Sequence, residues 1–423
     1  MTRIVAFVTF LVIWNLGASQ DLIITNARII DGSGATIEQG SIVVRDGRIM
    51  SVSENSDARG GVQIDAQGMT VMPGFIDAHR HVIRGEPEQW MREQSSDRMR
   101  EFLEAGFTTV LSAGDPLEQI LELRRQVEEG EILGPRLIVS GRVPLARGSG
   151  GFAPGVDPAR FDRSRPPNRP TETAIAIPHA QTRATVLELV EAGVDAIKTI
   201  LLVTPDGPEQ ETLSVIVEET ERHGIPSITH AVTVQDMVAA VEARTHVLVH
   251  TPHIGQLDED TARMVAESGI PMMSTLGIFV PTFAAENAQI RSRTGDDNVA
   301  RFRDLDPFPI NILSSAGQGP VNARLLWDAG VTYGYGTDTT FLPKDSLAHE
   351  LRPLRLVFSA KDIVTIMTRN AAATILRSDE LGSLEPGKVA DIVILDGDPL
   401  TDIDDLLNVE IVIKGGRIVV DNR

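Results

Sequence analysis

The chain has 423 residues, 42% of them apolar and 23% charged, which is enough apolar mass for a large buried core at the charge density of an ordinary folded protein. Its formal net charge of −20, from 39 basic and 59 acidic side chains, argues against nucleic-acid binding, which needs a basic face. With no cysteine, structural disulfides, thiolate catalysis and cysteine-held metal centres are excluded, so any metal must be held by His, Asp, Glu or a modified Lys.

Residues 1–19 have the pattern of an export signal. Met1-Thr2-Arg3 is a short positive start, Ile4 to Trp14 is apolar except for Thr9, and Gly17-Ala18-Ser19 supplies small residues for cleavage. A membrane span would need roughly 18 or more apolar residues. The expectation is a secreted or periplasmic protein without a stable membrane anchor, its mature chain starting near Gln20 or Asp21.

Residues 20–72 read as short strands. Asp21 to Ile30 is followed by a turn at Asp31-Gly32-Ser33-Gly34, and Gly40 to Ile49 contains the hairpin signal Asp46-Gly47. The far end repeats this style, with a β-rich run Ala390 to Leu395 and a hairpin from Val409 to Val420 turning at Gly415-Gly416. The two ends, 20–72 and 376–423, are expected to build one small β-sandwich domain.

Residues 73–375 alternate strand-like and helix-like patches. Strands are expected at the run opening at Gly74, then at 106–111, 136–140, 194–198, 226–230, 246–250, 270–275 and 331–338. Helices are expected at 116–129, 181–192, 209–223, 234–244, 258–268 and 321–329. Eight strands favour an α/β fold of the (β/α)8 TIM-barrel type, with a doubly wound open sheet as the rival. Lys198, His230, His250 and Asp338 fall at strand ends, where a barrel gathers its catalytic groups at one mouth. Two long loops, Gly141 to Thr173 and Gly277 to Gly319, have the length of lids or binding loops. The first carries Arg142, Arg147, Arg160, Arg163, Arg165 and Arg169, which would suit an anionic substrate or simply face solvent.

His79 and His81 flank one residue of a strand, so their side chains share a face and can grip one ion. Taken with His230, His250 and Asp338 they form a set suited to zinc or another divalent metal. Lys198 ends an apolar strand that points toward the same mouth. A bare ammonium beside cations is disfavoured by like-charge repulsion, whereas a carbamate formed with carbon dioxide would be an anion able to bridge two ions. A lysine that pairs with a carboxylate or binds substrate is the alternative.

Four stretches carry a family resemblance: Met72-Pro73-Gly74-Phe75-Ile76-Asp77-Ala78-His79-Arg80-His81, Gly134-Pro135-Arg136-Leu137-Ile138-Val139-Ser140-Gly141, the helix start Asn370-Ala371-Ala372-Ala373, and Leu381 to Asp391. On these the chain resembles the amidohydrolase superfamily, in its imidazolonepropionase-like and prolidase-like branch. The resemblance implies that His79, His81 and Asp338 hold one metal, that His230 and His250 hold a second, and that carboxylated Lys198 bridges them. It implies zinc, two per chain, with other divalent metals acceptable. The reaction implied is hydrolysis of an amide, cyclic amide or ester by a metal-bound hydroxide, with Asp338 moving the proton.

Two departures bear on the substrate. Prolidase-like members carry a histidine after a Gly-Gly pair where this chain has Gly150-Gly151-Phe152, and a tyrosine where it has Val232, so simple dipeptidase action is not expected. His253 would contact substrate or, in the plainer reading, serve structure. The alternatives are a mononuclear deaminase or imidazolone-type hydrolase and, in another class, a non-catalytic exported binding protein. The expected partner is a small-molecule substrate, and homo-oligomer formation is left open.

Overall fold

Asp46 and Gly47 both take positive φ (49° and 75°), as do Gly415 and Gly416 (55° and 75°). That is the I′ hairpin geometry, whose twist matches the flanking strands. These two hairpins frame the small β unit of the computed structural model, which describes residues 21–54, 59–147, 173–279 and 315–423. The expected signal segment, Gly150-Gly151-Phe152 and Arg160, Arg163, Arg165 and Arg169 lie outside the described residues.

The N-terminal strands are β1 (Leu22–Ile30), β2 (Thr36–Arg45), β3 (Arg48–Ser53), β4 (Val62–Asp65) and β5 (Thr70–Pro73). With β14 (Ile392–Leu395), β15 (Val409–Lys414) and β16 (Arg417–Asp421) they make one mixed sheet in the order β16-β15-β14-β5-β1-β2-β3, with β4 also on β1. The pairing of β14 with β5 joins the two ends of the chain. The sheet curls so that its two hairpins meet at Ala390: Ala390 N–H donates to Gly47 O and Gly416 N–H donates to Ala390 O, both at 2.9 Å. Leu22, Ile24, Ile42, Ile49, Ile392 and Ile411 fill its interior, all fully buried. The expected sandwich is thus a single curled sheet closed around its own core.

Only Gly74 separates β5 from β6 (Phe75–Arg80), the first barrel strand. Then follow α1 (Pro87–Glu93), α2 (Ser95–Glu104), β7 (Phe107–Ser112), α3 (Leu117–Glu128), β8 (Arg136–Arg142), α4 (His179–Glu191), β9 (Ala196–Ile200), α5 (Glu209–His223) and β10 (Ser227–His230). The barrel continues through α6 (Val234–Glu242), β11 (Val247–Val249), α7 (Glu259–Ser268), β12 (Met272–Met273), α8 (Ser315–Ala329) and β13 (Tyr333–Gly334). The closing helices are α9 (Pro343–Val357), α10 (Ala360–Thr365) and α11 (Ala371–Thr374).

Neighbouring strands from β6 to β13 are all parallel. The seam between last and first is closed by backbone bonds. Ala78 N–H donates to Tyr335 O at 3.1 Å, and Thr337 and Asp338 N–H donate to His79 O at 3.1 and 2.7 Å. An open doubly wound sheet has no such seam, so the fold is the (β/α)8 barrel. Several helices start where polar caps predict: Thr233 accepts from Asp236 N–H, Asp258 from Thr261 N–H, and Ser359 forms a reciprocal capping box with Asp362. The β unit is tied to the barrel by Arg136, which donates to Asp391 at 2.7 Å, and by the mostly buried Lys414, which donates to Gly134 O at 2.6 Å.

Four details differ from expectation. Lys198 does not end its strand, because β9 runs on to Ile200 and Thr199 and Ile200 still pair with Thr229 and His230. The loop expected to reach Gly319 ends earlier, since α8 begins at Ser315. Asn370 directly precedes α11, as expected, but its side chain does not cap that helix. It closes a π-helical turn, Ile366–Asn370, that follows α10, and its amide donates to Tyr333 O at 3.0 Å. Helices α1, α2, α9 and α10 were not anticipated. In α9 nearly every side chain is buried, so no polar face marks it as a surface helix.

Candidate active site

Strand alternation turns His79 and His81 the same way, and the barrel seam brings Asp338 to meet them. His79 Nε2 lies 3.3 Å from Asp338 Oδ1 and His81 Nε2 lies 3.0 Å from it. One ligand atom from each falls within 4.8 Å of the others, a spacing suited to one cation. The His250 ring centroid is 5.1 Å from that of His79, and the His230 centroid is 4.2 Å from that of His250. Lys198 pairs in register with Ile228 of β10, and its buried Nζ has no hydrogen-bond partner among the described residues. The six residues singled out from the sequence therefore gather at one end of the barrel.

Burial decides the charge state of the cluster. It drives the His79 imidazole down to about 3 and those of His230 and His250 well below the usual histidine value, with the nearby Lys198 amine acting in the same direction. Burial also lowers the Lys198 amine to about 7. For Asp338 burial works against the carboxylate, but the hydrogen bonds from His79 and His81 prevail and hold it well below the usual range. The neutral imidazoles of His79, His230 and His250 near a charged carboxylate, with an amine that has no hydrogen-bond partner among the described residues, are a donor set that fits a divalent cation.

The backbone is strained where this set is assembled. His250, Thr275 and Asp338 have φ of 74°, 47° and 50°, left-handed values that cost a non-glycine residue of order 1–3 kcal/mol each. Each is held from outside. Asp338 N–H is bound to His79 O, and Thr275 N–H donates to Gly336 O at 3.1 Å. Thr275 Oγ1 lies 2.6 Å from His250 Nδ1 and orients that ring. Glu350 of α9 fixes the same stretch, accepting from Ser274 Oγ at 2.7 Å, Leu276 N–H at 2.8 Å and Gly277 N–H at 2.6 Å, while burial pushes its carboxyl up to about 8. Asp115 anchors the exit of β6 by accepting from Val82 N–H at 2.9 Å and Ile83 N–H at 3.2 Å. No motif marks Thr275, Glu350 or Asp115 in the sequence.

Gly336 lies against this cluster, and a Cβ there would come within 2.9 Å of His79 Cβ. Neither β6 nor β13 can retreat without opening the seam. Gly336→Ala is therefore expected to cost about 1–3 kcal/mol by overpacking and to lower activity as well, read from the thermal midpoint and specific activity of the same sample.

Of the other residues considered, His253 donates its N–H to Val232 O at 3.1 Å, and Val232 itself is buried. Arg142 is exposed beside Gly114, and Arg147 donates to Gln181 at 3.3 Å.

The amidohydrolase family matches residues 70–419, most of the chain. The chain belongs to the amidohydrolase family. This hydrolase is 25% identical to the imidazolonepropionase of Porphyromonas gingivalis, over 93% of its own length and 91% of that protein's. Its fold is similar to the solved structure of a Xaa-Pro dipeptidase with bound methionine in the active site (TM-score 0.71, 23% identity, 94% and 99% of the two chains covered). It is also similar to ochratoxinase of A. niger (TM-score 0.72, 21% identity, 96% of each chain covered). The amidohydrolase thus sits in the imidazolonepropionase-like and prolidase-like branch. Among its described residues no helix is long and apolar enough to cross a membrane.

Proposed function

We propose that this amidohydrolase cleaves an amide, cyclic amide or ester bond of a small molecule at a binuclear divalent-metal site, zinc being the metal that the nitrogen-rich donor set favours. The observation that carries this reading is the meeting of His79, His81 and Asp338 within 4.8 Å of one another, with His250 against His79. His79, His81 and Asp338 would hold one cation, His230 and His250 the other, and Lys198 would lie between them. Bound there, divalent cations would supply Lewis acidity and a water of lowered pKa, about 7 in the case of zinc.

The remaining steps fall to the chain's own groups. Burial lowers the Lys198 amine to about 7, so a large fraction is neutral near pH 7, and a neutral amine is the form that adds to carbon dioxide. An N–C bond forms, the amine proton leaves to solvent, and the product is a carbamate anion. Asp338, ionised and facing two imidazoles, takes a proton from the attacking water and gives it to the departing nitrogen or oxygen. No acyl-enzyme is required. The pattern of residues 1–19 supports export, to the periplasm or beyond the cell.

A single-metal site is the second reading. It is favoured by the fact that, among the described residues, His79, His81 and Asp338 are the one group with carboxylate and imidazole atoms all mutually close. A hydrolysis screen over dipeptides, N-acyl amino acids, cyclic imides and lactones, on protein of measured metal content, tests the proposal. Turnover of at least one class, abolished by chelation and restored by zinc, is expected. Turnover undiminished after the metal is stripped would contradict it.

A further inference from the structure

Between the two histidines of β6 lies Arg80, whose side chain points away from theirs and is buried at 1% exposure. Its Nη1 donates to Thr337 Oγ1 at 3.1 Å, to Thr339 Oγ1 at 2.7 Å and to Ser346 Oγ, and its Nη2 donates to Phe341 O. The guanidinium lies over the Phe102 ring, 5.2 Å from the centroid. Asp77 Oδ2, 3.9 Å from Nη1, is its carboxylate neighbour. Asp77 in turn accepts from Thr337 N–H at 3.1 Å and from Thr337 Oγ1 at 2.7 Å. Thr337 and Thr339, the two residues flanking Asp338, are thereby both tethered to β6.

We infer that Arg80 is a positioning residue: by clasping Thr337, Thr339 and Phe341 it holds Asp338 in place against His79 and His81 and so sets how tightly that trio binds a cation. Three observations support this. Asp338 has the left-handed φ of 50°, a conformation that persists only where its surroundings impose it. The residues that impose it are those Arg80 and Asp77 grip. Burying a guanidinium to this degree costs several kcal/mol unless it is compensated, and the acceptors for its two terminal nitrogens come from the segment carrying Asp338 and from the start of α9. Lysine does not substitute for it, because a point charge with three donors cannot span acceptors spread from Thr337 to Phe341 as a planar fork does.

This inference rests on the metal reading of the trio, and the test separates the two. The zinc dissociation constant is measured by competition with a chromophoric chelator on chelator-stripped, folded protein. Parent, Arg80→Met, Arg80→Lys, Thr339→Val and His81→Ala are compared, and the unfolding midpoint of each metal-free form is recorded. Arg80→Met is expected to weaken zinc binding about 10- to 100-fold, the range for groups that orient metal ligands. Arg80→Lys should fall between Arg80→Met and parent. Thr339→Val, which removes one acceptor and leaves the charge, should weaken binding about 5-fold, the equivalent of one ordinary hydrogen bond.

A folded Arg80→Met with a lowered unfolding midpoint but parental zinc affinity would make Arg80 a structural residue only and overturn the inference. If Arg80→Met does not fold, Thr339→Val decides, and parental affinity there overturns it equally. If parent and His81→Ala bind the same amount of zinc, the metal reading of the trio fails, and the role assigned to Arg80 fails with it.

Discussion

Asp338→Asn should lower kcat by about 10³-fold, within the range for loss of a positioned general base, while the folded state survives. The side chains have nearly the same shape, and asparagine tolerates the left-handed backbone at this position better than most residues. What the substitution removes is the negative charge and the ability to accept a proton. The carboxylate of Asp338 is held well below the usual range by hydrogen bonds from His79 and His81 despite its burial. A neutral amide cannot replace it as the proton carrier. Stability should fall modestly, because the hydrogen bonds from His79 and His81 that keep the carboxylate ionised outweigh its desolvation, and a neutral amide accepts them more weakly. The check is kcat and the unfolding midpoint on one preparation, and a variant keeping a tenth or more of parental kcat would remove Asp338 from the proton path.

Lys198→Ala carries the second large effect. Under the bridging reading it removes a shared ligand, so bound metal should fall and activity should drop at least about 10²-fold, beyond the 10- to 100-fold typical of merely supporting groups. Formate, acetate or propionate should restore part of the activity by placing a carboxylate in the space vacated by the side chain. That space is well defined, since Lys198 is buried and its Nζ has no hydrogen-bond partner among the described residues. Full metal content and full activity in Lys198→Ala would refute the bridging role. Loss of activity with parental metal content and no rescue would point to a lysine that contacts substrate.

Features resting on local chemistry were legible in the sequence. The Asp46-Gly47 and Gly415-Gly416 hairpins follow from residues that accept positive φ, and the alternation of strands and helices follows from hydrophobic periodicity. His79, His81, His230, His250 and Asp338 were visible because each lies at or just beyond the end of a strand-like run. The rest depends on contacts between distant segments. The last barrel strands pair over very few residues, three in β11 and two each in β12 and β13, so the long runs expected there were overextended. Thr275 matters through one bond to His250, Glu350 through a turn 73 residues earlier in the chain, and Arg80 through residues more than 250 positions away. No periodicity encodes such pairs. Strain at His250, Thr275 and Asp338 was equally invisible, because those residue types do not announce a left-handed backbone.

Under the proposed function, this amidohydrolase works through divalent metal held by His79, His81, Lys198, His230, His250 and Asp338. Elemental analysis of protein purified without chelator, with specific activity determined on the same sample, tests it most directly. About two equivalents of divalent metal per chain are predicted, as a paired-ion site requires, with activity rising in proportion to occupancy. A fully active sample holding well under one equivalent would contradict the account.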